Sequence, residues 1–367
     1  MQTKVETQGT SFIINDEPTY AGTLCEGMLF NVRTVNATFD DTLGKVDWFH
    51  DRGDRAGNGN AGYGEWSSPE SADANTDRFV EGLKDYLDRG ILAVNLCLQG
   101  GHPLNGMPEI EEGHGSAGRR PDGHRDFYHN SVQNSDGSLD PMGLSRVDRV
   151  IEACDAIGMV VMLQLFYFGQ DPVFEDEAAI CAATDASVDW LCERGYTNVI
   201  VEIANEVMEG HFHHAILKPG RVTELIHRVR DRARDKHGVK LLVMTSEAAL
   251  LSEKQWKEEE IDEVMSACDF CVIHGGDNVE TGKVGDTSQL VDKVKRIRST
   301  EWYAAHPRPI ITNESQGEPS FDAMVKRGVS FGLHSEFFQT MYPPRWGVWD
   351  NDTTWFFKRV KNITAGS

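Results

Sequence analysis

Two short runs in this sequence end an apolar strand on an amide followed by a carboxylate. "NVIVEIANE" (residues 198 to 206) stops at Asn205 and Glu206, and "PIITNES" (309 to 315) stops at Asn313 and Glu314. A carboxylate at the end of a buried strand is expensive unless that end opens onto a polar cavity. Two such ends, brought across one mouth, would place two carboxyl groups face to face. Paired carboxylates are what cleavage of a glycosidic bond needs. One protonates the leaving oxygen while the other attacks the anomeric carbon or activates water.

Something must hold these two ends together, and the rest of the chain supplies it. Eight short apolar runs recur, at 20–30, 90–101, 158–170, 198–206, 239–247, 268–276, 308–315 and 328–338. Amphipathic stretches separate them, among them 75–90, 144–158, 176–195 and 220–238, several closing on the glycine expected of a left-handed helix cap. Continuous apolar strands alternating with helices require a parallel sheet covered on its outer face. Eight such units in 367 residues favour a closed (β/α)₈ TIM barrel, an α/β fold, over an open sheet. The expected organisation is a single catalytic barrel over 1–367, with an N-terminal β-hairpin in residues 1–20 from the Asn15-Asp16 turn. Two long βα loops, 31–74 and 99–143, follow strands one and two and lie on the C-terminal rim, where barrel active sites are built. Glu206 and Glu314 then end the fourth and seventh strands.

With those residues in view, "VEIANE" is similar to the E-I-x-N-E signature of clan A glycoside hydrolases, the cellulase-like barrels with catalytic glutamates on strands four and seven. The stretches "LQGG", "FYFGQD" and "GYTNVIVEIANE" also look like bacterial cellulase-like proteins without an assigned substrate. The resemblance implies a retaining mechanism, with Glu206 as general acid/base, Glu314 as nucleophile and Asn205 on the sugar 2-hydroxyl. It also implies an arginine near the end of strand two, where this chain offers Gln99, with Arg33 after strand one as a substitute. A tyrosine near the nucleophile at the end of strand six is replaced here by His274. Trp346, in "PPRWGVWDND" after the eighth strand, falls where such enzymes place an aromatic platform under the sugar. Glu26, His129 and Asn130 complete the candidate substrate-binding set. Glu202, two residues ahead of Ala204 on the same strand, reads as an interior carboxylate satisfied by partners.

The composition excludes several other classes. Against 36 Lys and Arg stand 58 Asp and Glu, a formal charge of −22 that repels phosphate backbones and anionic bilayers. Nucleic acid and membrane partners are not expected, and no run approaches the roughly 20 apolar residues of a membrane span. Seven cysteines, an odd number in mostly apolar surroundings, read as reduced core residues, Cys268 and Cys271 included. His211, His213 and His214 match no metal motif. No metal or cofactor is expected. The first residues carry no apolar signal core, so the chain is expected to be cytoplasmic, or secreted or periplasmic if a leader was removed. The leading expectation is a retaining, exo-acting glycoside hydrolase on a β-linked carbohydrate. Its rivals are a metal-dependent sugar isomerase or epimerase ligated by Glu206, His274 and Glu314, and a non-catalytic carbohydrate-binding barrel.

Overall fold

A computed structural model describes residues 1–40, 71–100, 132–209, 212–247, 250–251, 256–275, 287–335, 346–348 and 351–365. Three short antiparallel strands come first: β1 (Val5–Gln8), β2 (Ser11–Ile14) and β3 (Glu17–Pro18). Asn15 and Asp16, at φ 52° and 66°, make the turn between β2 and β3, the left-handed pair that residues of this type tolerate. The expected hairpin is therefore a three-stranded meander. It sits under the barrel: the Val5 amide donates to the Thr197 carbonyl, and the Phe12 ring meets Phe270 edge-on at 5.1 Å. Both partners lie just ahead of barrel strands.

The barrel strands are β4 (Asn31–Arg33), β5 (Ala93–Cys97), β6 (Val160–Phe166), β7 (Val199–Ala204), β8 (Leu242–Met244) with its continuation β9 (Ser246–Glu247), β10 (Cys271–His274), β11 (Ile310–Glu314) and β12 (Gly332–Leu333). Parallel ladders join β12, β4, β5, β6, β7 and β8 in that order, and a second parallel set joins β9, β10 and β11. Isolated parallel bridges, Ile311 to Ser330 and Ser315 to Leu333, carry β11 to β12. The hydrogen bonding thus returns to its starting strand.

Helices α1 (Ala72–Leu87), α2 (Pro141–Ala156), α3 (Glu177–Arg194), α4 (Val222–His237), α5 (Glu258–Ala267), α6 (Ser288–Arg298), α7 (Glu301–Ala305), α8 (Glu318–Val325) and α9 (Asn351–Thr364) fill the intervals. Local chemistry sets their ends. Ser71, Asp140 and Asp176 cap α1, α2 and α3 through side-chain oxygens, and Gly195 and Gly238 close α3 and α4 in the left-handed conformation. Among the described residues, no helix is long and apolar enough to cross a membrane.

The first apolar run is displaced from its expected place. Residues 20–30 are not a strand but a series of turns, with Tyr20, Gly22 and Gly27 at positive φ, and the strand proper is Asn31–Arg33. Hydrophobicity alone did not reveal this, because Cys25, Met28, Leu29 and Phe30 are buried beneath the barrel as fully as strand residues are. Five of the seven cysteines are buried free thiols, and burial pushes Cys268 up to about 12.

The barrel interior departs from the branched aliphatic filling usual in this architecture. Asn31, Arg33, Asn95, Gln164, Glu202 and Asn313 are all buried. Burying so many polar groups is tolerable only if they bond to one another, and they do so toward the mouth.

Candidate active site

Glu206 follows β7 by two residues with its backbone at φ 50°, a left-handed conformation uncommon for a side chain of this size. The Ser246 hydroxyl, on β9, accepts the Glu206 amide at 3.1 Å and helps hold that turn. The carboxylate then points at His274, the last residue of β10, with Oε1 2.8 Å from Nδ1. Glu314 ends β11 and reaches the same nitrogen through Oε2 at 3.3 Å. One oxygen of each glutamate and the His274 nitrogen all lie within 4.8 Å of one another. The two strand ends therefore meet across the mouth.

Arg33, fully buried at the end of β4, approaches Glu314 Oε2 with Nε at 3.1 Å and donates Nη2 to Asn205 Oδ1 at 2.8 Å. Burial raises the Glu314 carboxyl, but Arg33, His274 and His334 outweigh it and hold it down to about 2. Glu314 is an anion throughout the neutral range. His274 is moved the other way. Burial opposes its charge, yet Glu314 and the hydrogen bond to Glu206 raise it above the ordinary imidazole value. Glu202, below them, is raised by burial even though Arg33 faces it.

Asn205 is committed on one side only. Its Oδ1 accepts from Arg33, and its buried Nδ2 has no acceptor among the described residues. A buried donor left unpaired costs about 1–3 kcal/mol, a cost that a ligand hydroxyl would remove.

Glu206, His274 and Glu314 have the residue types of a cation site. The guanidinium of Arg33 nevertheless already neutralises Glu314, and a divalent ion would stand beside that fixed buried charge. The donor set fits an anion–cation network of side chains better than a metal.

Comparison with solved structures agrees with this architecture. An endo-1,4-β-mannanase from Rhizomucor miehei matches with a TM-score of 0.57 at 13% identity, covering 99% of this chain and 100% of its own. The β-mannanase of the blue mussel Mytilus edulis matches at 0.55 and 11%, covering 100% and 98%. An endoglucanase from the hyperthermophile Thermotoga maritima matches at 0.51 and 15%, covering 95% and 99%. The chain shares the (β/α)₈ barrel fold of these mannanases and this endoglucanase. No family model and no curated sequence matches the chain.

Within this barrel the other candidate residues divide. Gln99, buried just past β5, uses Oε1 to accept the Tyr167 amide at 2.7 Å, and its buried Nε2 has no hydrogen-bond partner among the described residues. Glu26 lies ahead of β4, at the end of the barrel opposite the mouth, exposed and accepting the Gly22 amide at 2.7 Å. It is too far down the strand direction to meet a ligand at the C-terminal rim. Trp346 is also misplaced for a sugar platform. Its ring is 2% exposed, packs edge-on against Phe79 at 5.0 Å and donates Nε1 to Asn75 Oδ1. The indole is spent on seating α1, because a ring that large gains more by burial than by a shallow rim position. His129 and Asn130 lie outside the described residues.

Two further side chains at the mouth escaped sequence reasoning. His334, one residue past β12, places Nε2 3.7 Å from Glu314 Oε1 while Nδ1 meets Gln316 Nε2 at 2.9 Å. Burial lowers its pKa despite the neighbouring carboxylate. Tyr167, one residue past β6, is buried within electrostatic reach of Glu314, Arg33 and Glu206, and burial raises its hydroxyl far above the ordinary range. Each is the first residue after a strand, and polar residues at a strand's C-terminal end are also what marks Glu206 and Glu314.

Proposed function

We propose that the protein is a retaining glycoside hydrolase that cleaves a β-linked glycoside or oligosaccharide by double displacement. The observation that carries the reading is the approach of one Glu206 and one Glu314 oxygen to within 4.8 Å. Retaining enzymes hold their carboxyl groups about 5–5.5 Å apart, whereas inverting ones leave about 6.5–9.5 Å for a water. Glu314, an anion with Oε2 facing Arg33 and His274, attacks the anomeric carbon through Oε1. Glu206 protonates the departing oxygen. Water, losing its proton to Glu206, then displaces the sugar from Glu314. Asn205 Nδ2 is the donor for a hydroxyl next to the cleaved bond.

Exo action is part of the proposal. Its support is the number of residues between β4 and α1 and between β5 and α2, each following the C-terminal end of a barrel strand.

Turnover of aryl β-glycosides, manno- and gluco-oligosaccharides by wild type, Glu206→Ala and Glu314→Ala tests the reading. Activity lost in both variants, rescued by azide with opposite product anomers, assigns the two roles. A wild-type product of inverted configuration would remove the two-step mechanism, and single sugars released from chain ends would separate exo from endo cleavage. Sugar binding without turnover would return the barrel to a binding role.

A further inference from the structure

The buried amides of the barrel interior form a chain that ends on His274, and its polarity follows from its first link. Asn31 Nδ2 faces two backbone carbonyls, Leu29 at 3.3 Å and Thr312 at 3.2 Å. Carbonyls only accept, so this nitrogen is a donor and Asn31 Oδ1 is an acceptor. Asn95 Nδ2 donates to that oxygen at 2.9 Å and to the Val32 carbonyl at 3.2 Å. Asn95 Oδ1 is in turn left to accept, and Asn313 Nδ2 donates to it at 3.2 Å and to Glu202 Oε2 at 3.4 Å. Asn313 Oδ1, now an acceptor, lies 2.6 Å from His274 Nε2. That nitrogen must carry a proton.

The fold makes room for this chain. A Cβ on Gly332 would stand 2.2 Å from Asn31 Oδ1 and 2.6 Å from Asn313 Cα, so only glycine admits the relay beneath β12. On its other side, Lys293 Nζ donates to the His274 carbonyl at 2.8 Å and pairs with buried Glu247 at 3.3 Å, which holds the ring's backbone.

We propose that Asn313, oriented by Asn95 and Asn31, is a positioning residue that keeps His274 Nε2 protonated, so that His274 Nδ1 and Glu206 share the single proton delivered to the leaving oxygen. With Nε2 occupied, the Nδ1 side holds either an imidazolium against a Glu206 anion or a neutral ring against protonated Glu206. Both descriptions contain one proton. It leaves with the departing group in the first step, and the attacking water restores it in the second. Glu314 also faces Nδ1, while Arg33 and Glu202 stand near the ring from β4 and β7, and His334 and Tyr167 act on Glu314 from beyond β12 and β6. None of these supplies an acceptor to Nε2 in place of Asn313. The catalytic consequence rests on the hydrolase reading; the proton placement does not.

The test uses the full chain labelled with ¹⁵N in its histidine rings, with the His274 signals assigned by difference against His274→Gln. Nε2 is expected to stay a protonated, pyrrole-type nitrogen between about pH 5 and pH 9. In Asn313→Ala the neutral ring is expected to carry its proton on Nδ1 and leave Nε2 bare, while Asn313→Asp, which keeps an acceptor oxygen, retains the wild-type pattern. The alkaline limb of kcat/KM is expected to fall by about one to two pH units in Asn313→Ala, the shift produced by losing one hydrogen bond to a charged group. A bare Nε2 in wild type would overturn the proposal, and that spectrum decides even if the alanine variant does not fold. An unchanged tautomer and pH profile in Asn313→Ala would overturn it equally. If no glycoside is turned over but the spectra follow expectation, the relay stands and only the hydrolase reading falls.

Discussion

At the scale of single residues the site is decided by which charges share a buried volume. Arg33 is the strongest case, since it has no exposure and faces a carboxylate held at about 2. Replacing it with Met is expected to raise the Glu314 value, move the acid limb of kcat/KM upward by about one pH unit or more, and lower activity at least about 100-fold. The linkage has a definite sign. A carboxyl depressed from 4.5 to about 2 stabilises the fold above its unfolded value and loses that contribution as pH falls between the two. Arg33→Met should therefore unfold at a higher pH on acid titration, read by circular dichroism. Asn205→Ala removes the unpartnered Nδ2 donor together with the oxygen that accepts Arg33 Nη2. A fall in kcat/KM of about 10- to 100-fold is expected from kinetics, and a thermal melt should show a loss of about 1–3 kcal/mol because Arg33 Nη2 loses its Asn205 acceptor. A variant as active as wild type would remove Asn205 from the substrate.

Among the elements, the segment leading into the meander beneath the barrel is clamped by one carboxylate. Asp155, in the last turn of α2, accepts the Gln2 amide at 2.9 Å and the Thr3 amide at 2.7 Å, and its carbonyl accepts the Thr3 hydroxyl at 2.8 Å. Asp155→Ala leaves two backbone amides without their anion and is expected to cost about 1–3 kcal/mol. Because the clamp lies at the barrel end remote from Glu206, calorimetry should register the loss while kcat/KM stays unchanged. The strands at the other end were read correctly where an apolar run stopped on a polar pair. The first strand begins later than its apolar run, since burial under the barrel and burial within the sheet leave the same mark on a sequence.

For the molecule as a whole, the excess of 58 acidic over 36 basic residues surrounds a site that already contains two carboxylates. Long-range repulsion should penalise anionic substrates and be relieved by salt within a Debye length of about 8–10 Å. We expect uronic-acid glycosides to be turned over more slowly than their neutral counterparts at low ionic strength, with the gap narrowing as salt is added. A gap independent of salt would place the discrimination in direct contacts instead.

The sequence by itself determined the alternation of strands and helices, the two strand-end glutamates and the pairing of each with a preceding asparagine. These depend on local patterns of burial, and burial is written residue by residue. Only the tertiary structure decided that Arg33 meets Glu314, that Trp346 is core and Glu26 remote, and that His334 and Tyr167 join the mouth. It alone aligned Asn31, Asn95 and Asn313 beneath His274. Those three amides come from strands far apart in the chain, and a hydrogen-bond relay among them exists only once the barrel has closed their side chains into one volume.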